Sequence, residues 1–119
     1  MIHLNMKILA VKFYRTKAGR EPVREWFLEL SKEDKKIIGV DIKTVEFGWP
    51  VGMPICRPLR EGLYEVRSNL SSNKTARVIF TLHKREMILL HAFFKKTQKI
   101  SDIDLDLAKK RLRSLKNDK

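Results

Sequence analysis

Residues able to do chemistry gather in the second half of the chain, inside runs that otherwise read as strands. Glu65 and Arg67 lie in Leu63 to Asn69, Arg77 lies in Thr75 to Leu82, and Lys95 closes the run Met87 to Lys95, with Lys96 next to it. The connections, 70–74 and 83–86, are of hairpin length, so the three runs are expected to pair antiparallel. Setting Asn69 opposite Thr75 puts Val66 across from Val78 and Arg67 across from Arg77. Setting Leu82 opposite Met87 puts Val78 across from His91 and Arg77 across from Ala92. Alternation then sorts the side chains into two faces. Tyr64, Val66, Val78, Phe80, Leu89, His91 and Phe93 form an apolar face. Glu65, Arg67, Arg77, Ile79, Ala92, Phe94 and Lys96 form a charged one.

Two arginines directly opposite each other repel unless an anion or an acid lies between them. The charged face is therefore a candidate phosphate site, and its chemistry suits RNA. Metal-free RNA cleavage needs a base for the 2′-hydroxyl, an acid for the leaving 5′-oxygen, and cations for the charge building on phosphorus. Arg67, Arg77, Lys95 and Lys96 supply charge. Glu65 or a lysine of lowered pKa is the candidate base, and Phe93 or Phe94 could stack on a nucleobase. On this reading Arg77→Ala should remove activity and spare the fold. His91, placed on the apolar face, reads as a core histidine whose loss would lower stability first.

Plainer readings exist for the same residues. Arg67 and Arg77 could form a structural network with Glu65 or Glu61. Lys95-Lys96 could be a solvated strand end. Tyr64, Phe80 and Trp26 read as packing residues, and His3 and His83 carry no assignment. The sequence holds no glycine-rich phosphate loop, metal-ligand spacing or nucleophile triad, so neither a metal nor a cofactor is expected.

These residues need elements to position them. Lys7 to Tyr14 reads as a first strand. Glu21-Pro22 opens a helix, with proline tolerated in the first turn, and Val23, Trp26, Phe27 and Leu30 recur at helical spacing. Ser31 caps a second helix with Asp34 three residues on. Ile38, Ile42 and Val45 form its buried stripe, and Gly48 ends it. Val51 to Pro58, with its glycine and two prolines, reads as loop or irregular edge. Ser101 to Asp104 caps a last helix with Leu105, Ala108, Leu112 and Leu115 on one face. The expected fold is α+β in the order β-α-α-β-β-β-α. It has an antiparallel sheet of about four strands, a helical hairpin on one face, and a C-terminal helix. Residues 1–119 form one domain, with 1–6 read as a flexible N-terminal extension.

Lys and Arg number 26 against 14 Asp and Glu, a formal charge of +12. Such a field attracts RNA, DNA, an anionic membrane or an acidic protein. No apolar run approaches the ~20 residues of a spanning helix, no strongly apolar amphipathic helix favours a membrane surface, and no signal peptide is visible. Cys56, the single cysteine, reads as a small packing residue in a reducing compartment.

Three ordered motifs carry a resemblance. P-L-R-E-G-L-Y-E-V-R (58–67), A-R-V-I-F (76–80) and L-L-H-A-F-F-K-K-T-Q-K (89–99) resemble the phage-derived, HigB-like branch of the RelE toxin superfamily. G-R-E-P-V-R-E-W (19–26) and the final helix extend the likeness to nearly the whole chain. The resemblance implies a RelE-type fold and a cytoplasmic toxin that cleaves mRNA on the ribosome through the substrate's own 2′-hydroxyl. It also implies a HigA-like helix-turn-helix antitoxin, with operator DNA bound only through the complex. By position it points to Arg67, Arg77, Lys95 and Lys96 as the catalytic cations. Arg60, in the first motif, joins Phe93 and Phe94 as an expected RNA contact. RelE proper carries a lysine where Glu65 stands. Two other readings compete: a non-catalytic basic binding module of prophage origin, and a DNA-binding regulator, which the missing helix-turn-helix pattern disfavours.

Overall fold

A computed structural model describes residues 7–71, 73–95 and 99–117. The expected N-terminal extension (1–6) and Lys96 lie outside the described residues. The order is β1 (Ala10–Phe13), α1 (Pro22–Leu28), α2 (Lys32–Gly48), β2 (Cys56–Pro58), β3 (Leu63–Asn69), β4 (Thr75–His83), β5 (Glu86–Phe94) and α3 (Asp102–Asn117). The class is α+β, as expected. The sheet is larger and mixed: five strands in the order β1-β5-β4-β3-β2, with β1 parallel to β5 and the other pairs antiparallel.

Both departures from four antiparallel strands have physical reasons. The β1–β5 pairing is non-local: α1 and α2 carry the chain from one sheet edge to the other, so no hairpin rule fixes the direction of β1. β2 is only three residues long, too short for alternation to register between Pro54 and Pro58. Its outer edge position tolerates the proline. Cys56 is buried in the core there, and burial together with the Glu65 charge pushes its thiol up to about 11. At neutral pH it is a packing group rather than a thiolate.

The helices start and stop where their residue types direct. Pro22 occupies the first turn of α1. The Ser31 hydroxyl accepts from the Asp34 amide at 3.1 Å and caps α2, which runs to Gly48. Ser101 likewise accepts from the Asp104 amide at 3.1 Å at the start of α3.

Three layers result. α1 and α2 cover one sheet face, where Val23, Ile38 and Val45 meet Val66, Val78, Phe80, Leu89 and Ala92. Trp49 packs edge-on against Tyr64 and Phe80. α3 covers half of the other face, where Ala108 and Leu112 meet Leu63, Ile79, Ile88 and Leu90. The half that α3 leaves open holds the charged residues.

The β3–β4 register is the expected one, with Val66 opposite Val78 and Arg67 opposite Arg77. The β4–β5 register holds from Leu82↔Met87 to Phe80↔Leu89. It then shifts, so that Ile79 meets His91, Val78 meets Ala92 and Arg77 meets Phe93. Leu90 is the extra residue of a bulge. Its consequence corrects the faces: His91 and Phe93 join the arginines, while Ala92 and Phe94 turn to the α1–α2 core. His91 is thus not on the face assigned to it from sequence.

Candidate nucleic-acid interface

Five charged residues meet on the half-face that α3 does not cover: Arg57, Arg67 and Lys95 are partly exposed, and Glu65 and Arg77 are buried. Arg57 on β2 lies opposite Glu65 on β3, and Arg67 and Arg77 face each other one pleat further along. Glu65 is completely buried, yet it carries two ion pairs. Arg57 Nε lies 3.0 Å from one carboxylate oxygen, and Arg77 Nη1 lies 3.2 Å from the other. Arg77 is itself only 1 % exposed, whereas the Arg57 side chain keeps 32 % of its surface open. The expectation that Arg77→Ala would spare the fold is corrected by this burial. Arg77 is among the largest fully buried side chains, so the charged face is also core.

The electrostatics are those of a crowded cation site. Burial lowers the Arg77 pKa, Glu65 raises it, and Arg57 and Arg67 lower it further. Lys95 follows β5, its amide donating to the Thr75 carbonyl at 2.7 Å. Desolvation, then Arg67 and Arg77, hold its ammonium below the ordinary lysine value. Arg67 Nε is buried with no hydrogen-bond acceptor among the described residues. Such a donor is costly to bury, and a phosphate oxygen would satisfy it.

A groove of about 650 Å³ opens beside this cluster. Arg77 and Lys95 edge it, with Trp26, Phe93 and Phe94 as aromatic walls and Asp104 at the start of α3. Trp26 and Phe94 pack at 5.3 Å between centroids, and Lys74 sits over the Phe94 ring. His91 stacks on Phe93 at 5.2 Å and donates from Nε2 to Asp104 at 2.7 Å. That bond ties β5 to α3. Burial lowers the His91 pKa more than Asp104 raises it.

The structure thus brings together Glu65, Arg67, Arg77 and Lys95, with Phe93 and Phe94 flanking them. Arg60 is not among them. It lies exposed in the turn before β3, near Glu61, which is paired with Lys109 of α3 at 2.9 Å. Four residues of strand separate that turn from Arg67, ~13 Å at the usual rise. Sequence reading missed Arg57, because it lies in the segment read as loop. With only three residues of strand between Pro54 and the end of β2, no local signal marked it.

The fold is α+β, with basic and aromatic residues gathered on one half-face of the sheet. The sequence matches the family described as Phage derived protein Gp49-like (DUF891) over residues 25–113. The chain belongs to this phage-derived family, which is a RelE/HigB-like toxin family. A comparison with curated proteins returned no match. Among the described residues, no helix is long and apolar enough to cross a membrane.

Proposed function

We propose that this chain is the toxin of a type II toxin–antitoxin pair and acts as a ribosome-dependent, metal-independent mRNA endoribonuclease. The observation that carries the reading is the convergence of Arg67, Arg77 and Lys95 beside a groove at the end of β5, whose aromatic walls Trp26, Phe93 and Phe94 come from both sides of the sheet. The substrate's 2′-hydroxyl attacks the adjacent phosphorus and the 5′-oxygen leaves, giving a 2′,3′-cyclic phosphate and a 5′-hydroxyl. The guanidinium of Arg67 stabilises the charge that builds on the phosphoryl oxygens, and Arg77, buried against Glu65, adds its positive field from behind. Lys95, whose pKa is lowered by desolvation and then by Arg67 and Arg77, exchanges a proton with the reacting oxygens. Lys96, adjacent in sequence, adds charge. Phe93 and the Trp26–Phe94 wall hold a splayed nucleobase. The partner is a HigA-like antitoxin whose acidic segment covers the basic half-face, and the complex reaches operator DNA through that partner. The protein works in the cytoplasm.

The test is inducible expression without the antitoxin, followed by primer extension on ribosome-bound mRNA. Growth arrest with new 5′-hydroxyl ends inside coding regions is the expected result. Arrest-free expression of folded protein, with intact messages, would leave a non-catalytic binding module.

A further inference from the structure

Glu65 lies on the face that the strand reading gives it, but fully buried, and Arg57 joins it from a segment read as loop. A general base must reach the proton it removes. Glu65 has no exposed surface, and its two oxygens face Arg57 and Arg77. Arg57, by contrast, offers only Nε to Glu65 and leaves a third of its side chain open. Its strand lies at the sheet edge, beside the same open half-face. A carboxylate that fixes two guanidiniums from beneath pre-pays the ordering of both, and fixed donors suit a phosphate better than mobile ones.

Resting on the reading of this face as an RNA site, we propose that Arg57 is a further phosphate-binding residue. Glu65 is the positioning residue that aims Arg57 at the RNA backbone, with Arg77 held buried on its other oxygen. The substrate class is single-stranded RNA held by its phosphates. The site then spans the sheet from β2 to the end of β5, four adjacent strands at ~4.8 Å spacing, which is room for more than one phosphate. Arg57 grips the backbone on the side away from Lys95.

The sign of one effect separates this from simpler roles. If Glu65 only offset its neighbours' charge, Glu65→Gln would add net positive charge and tighten RNA binding. If it were the proton acceptor, Glu65→Gln would stop cleavage and leave binding unchanged. A positioning role predicts weaker binding despite the added positive charge.

The experiment measures affinity for a short RNA whose 2′-hydroxyls are replaced by hydrogen, across a salt series, using the full chain. Wild type is compared with Arg57→Ala, Arg57→Lys, Glu65→Gln and, as a remote control, Lys110→Ala on the exposed side of α3. Thermal unfolding accompanies each variant. Arg57→Ala should weaken binding ~10-fold and flatten the salt dependence by about one phosphate contact. Arg57→Lys should restore part of the affinity, and Glu65→Gln should weaken binding ~3–10-fold. Lys110→Ala should change little. Arg57→Ala binding like Lys110→Ala, or Glu65→Gln binding as tightly as wild type or tighter, would overturn the proposal. If Arg57→Ala does not fold, Arg57→Lys and Glu65→Gln decide it alone. Ribosomal cleavage measured in parallel keeps the two claims apart. Binding that depends on Arg57 in a protein that cuts nothing would sink the nuclease and keep the clamp. Cleavage that is indifferent to Arg57 would do the reverse.

Discussion

At the residue scale, the cluster joins stability to chemistry. Glu65 and Arg77 are buried together, and truncating one partner of a buried pair strands the other's charge, at a cost of about 3–5 kcal/mol. Arg77→Ala should therefore lower the urea midpoint strongly, and a midpoint within error of wild type would mean that the pair contributes nothing. Lys95 is different: it is the proposed proton carrier and is only partly buried. Its lowered pKa leaves more of it neutral near pH 7 than an ordinary lysine, and the neutral fraction grows with pH. Single-turnover cleavage should accordingly rise across about pH 6–8. Lys95→Arg keeps the charge but stays protonated throughout, so it should retain RNA affinity and lose rate by on the order of 100-fold. A wild-type rate in Lys95→Arg would remove Lys95 from the proton transfer.

At the element scale, one residue decides which side chains see the site. The hairpin 83–86 pins Leu82 to Met87 through two residues of positive φ, Lys84 and Arg85, the backbone hand that tight hairpins require. Alternation alone would carry that register to the end of β5. Leu90 breaks it, because two apolar residues in succession, Leu89 and Leu90, go to opposite cores and His91 then stays on the α3 side. No local sequence signal distinguishes this from an unbroken strand of the same composition. The helices were legible because Pro22, Ser31, Gly48 and Ser101 act locally. So was the Arg67–Arg77 pairing, set by a short loop. β2, the parallel β1 and the burial of Glu65 depend on long-range packing and were not. The relocated His91 gives α3 a pH-sensitive anchor. Its folded pKa is lowered, so the unfolded chain binds the proton more readily. The contribution is present above the unfolded value of about 6.5 and is lost as pH falls through the folded value. Comparing urea midpoints near pH 7.5 and 5.5, His91→Gln should lose less stability on acidification than wild type. Equal losses would show that His91 plays no part.

At the scale of the whole molecule, a charge of +12 makes association with any polyanion dependent on salt. If three or four cations of the open half-face meet phosphates, affinity for single-stranded RNA should fall ~20–50-fold between about 50 and 200 mM salt. A flat response would mean that the charge serves solubility alone. The same field would favour the acidic segment of the proposed antitoxin through its rim charges.

The central claim, that this half-face cleaves mRNA, meets its most direct test in the rate and end chemistry of cleavage on translating ribosomes for wild type and Arg67→Ala. Arg67 is the partner of choice because it faces Arg77 yet is less deeply buried, so the variant should fold. The account predicts wild-type products ending in a 2′,3′-cyclic phosphate and a 5′-hydroxyl. It predicts a rate on the order of 100-fold lower for folded Arg67→Ala. Equal rates in the two folded proteins, or products bearing a 5′-phosphate, would contradict it.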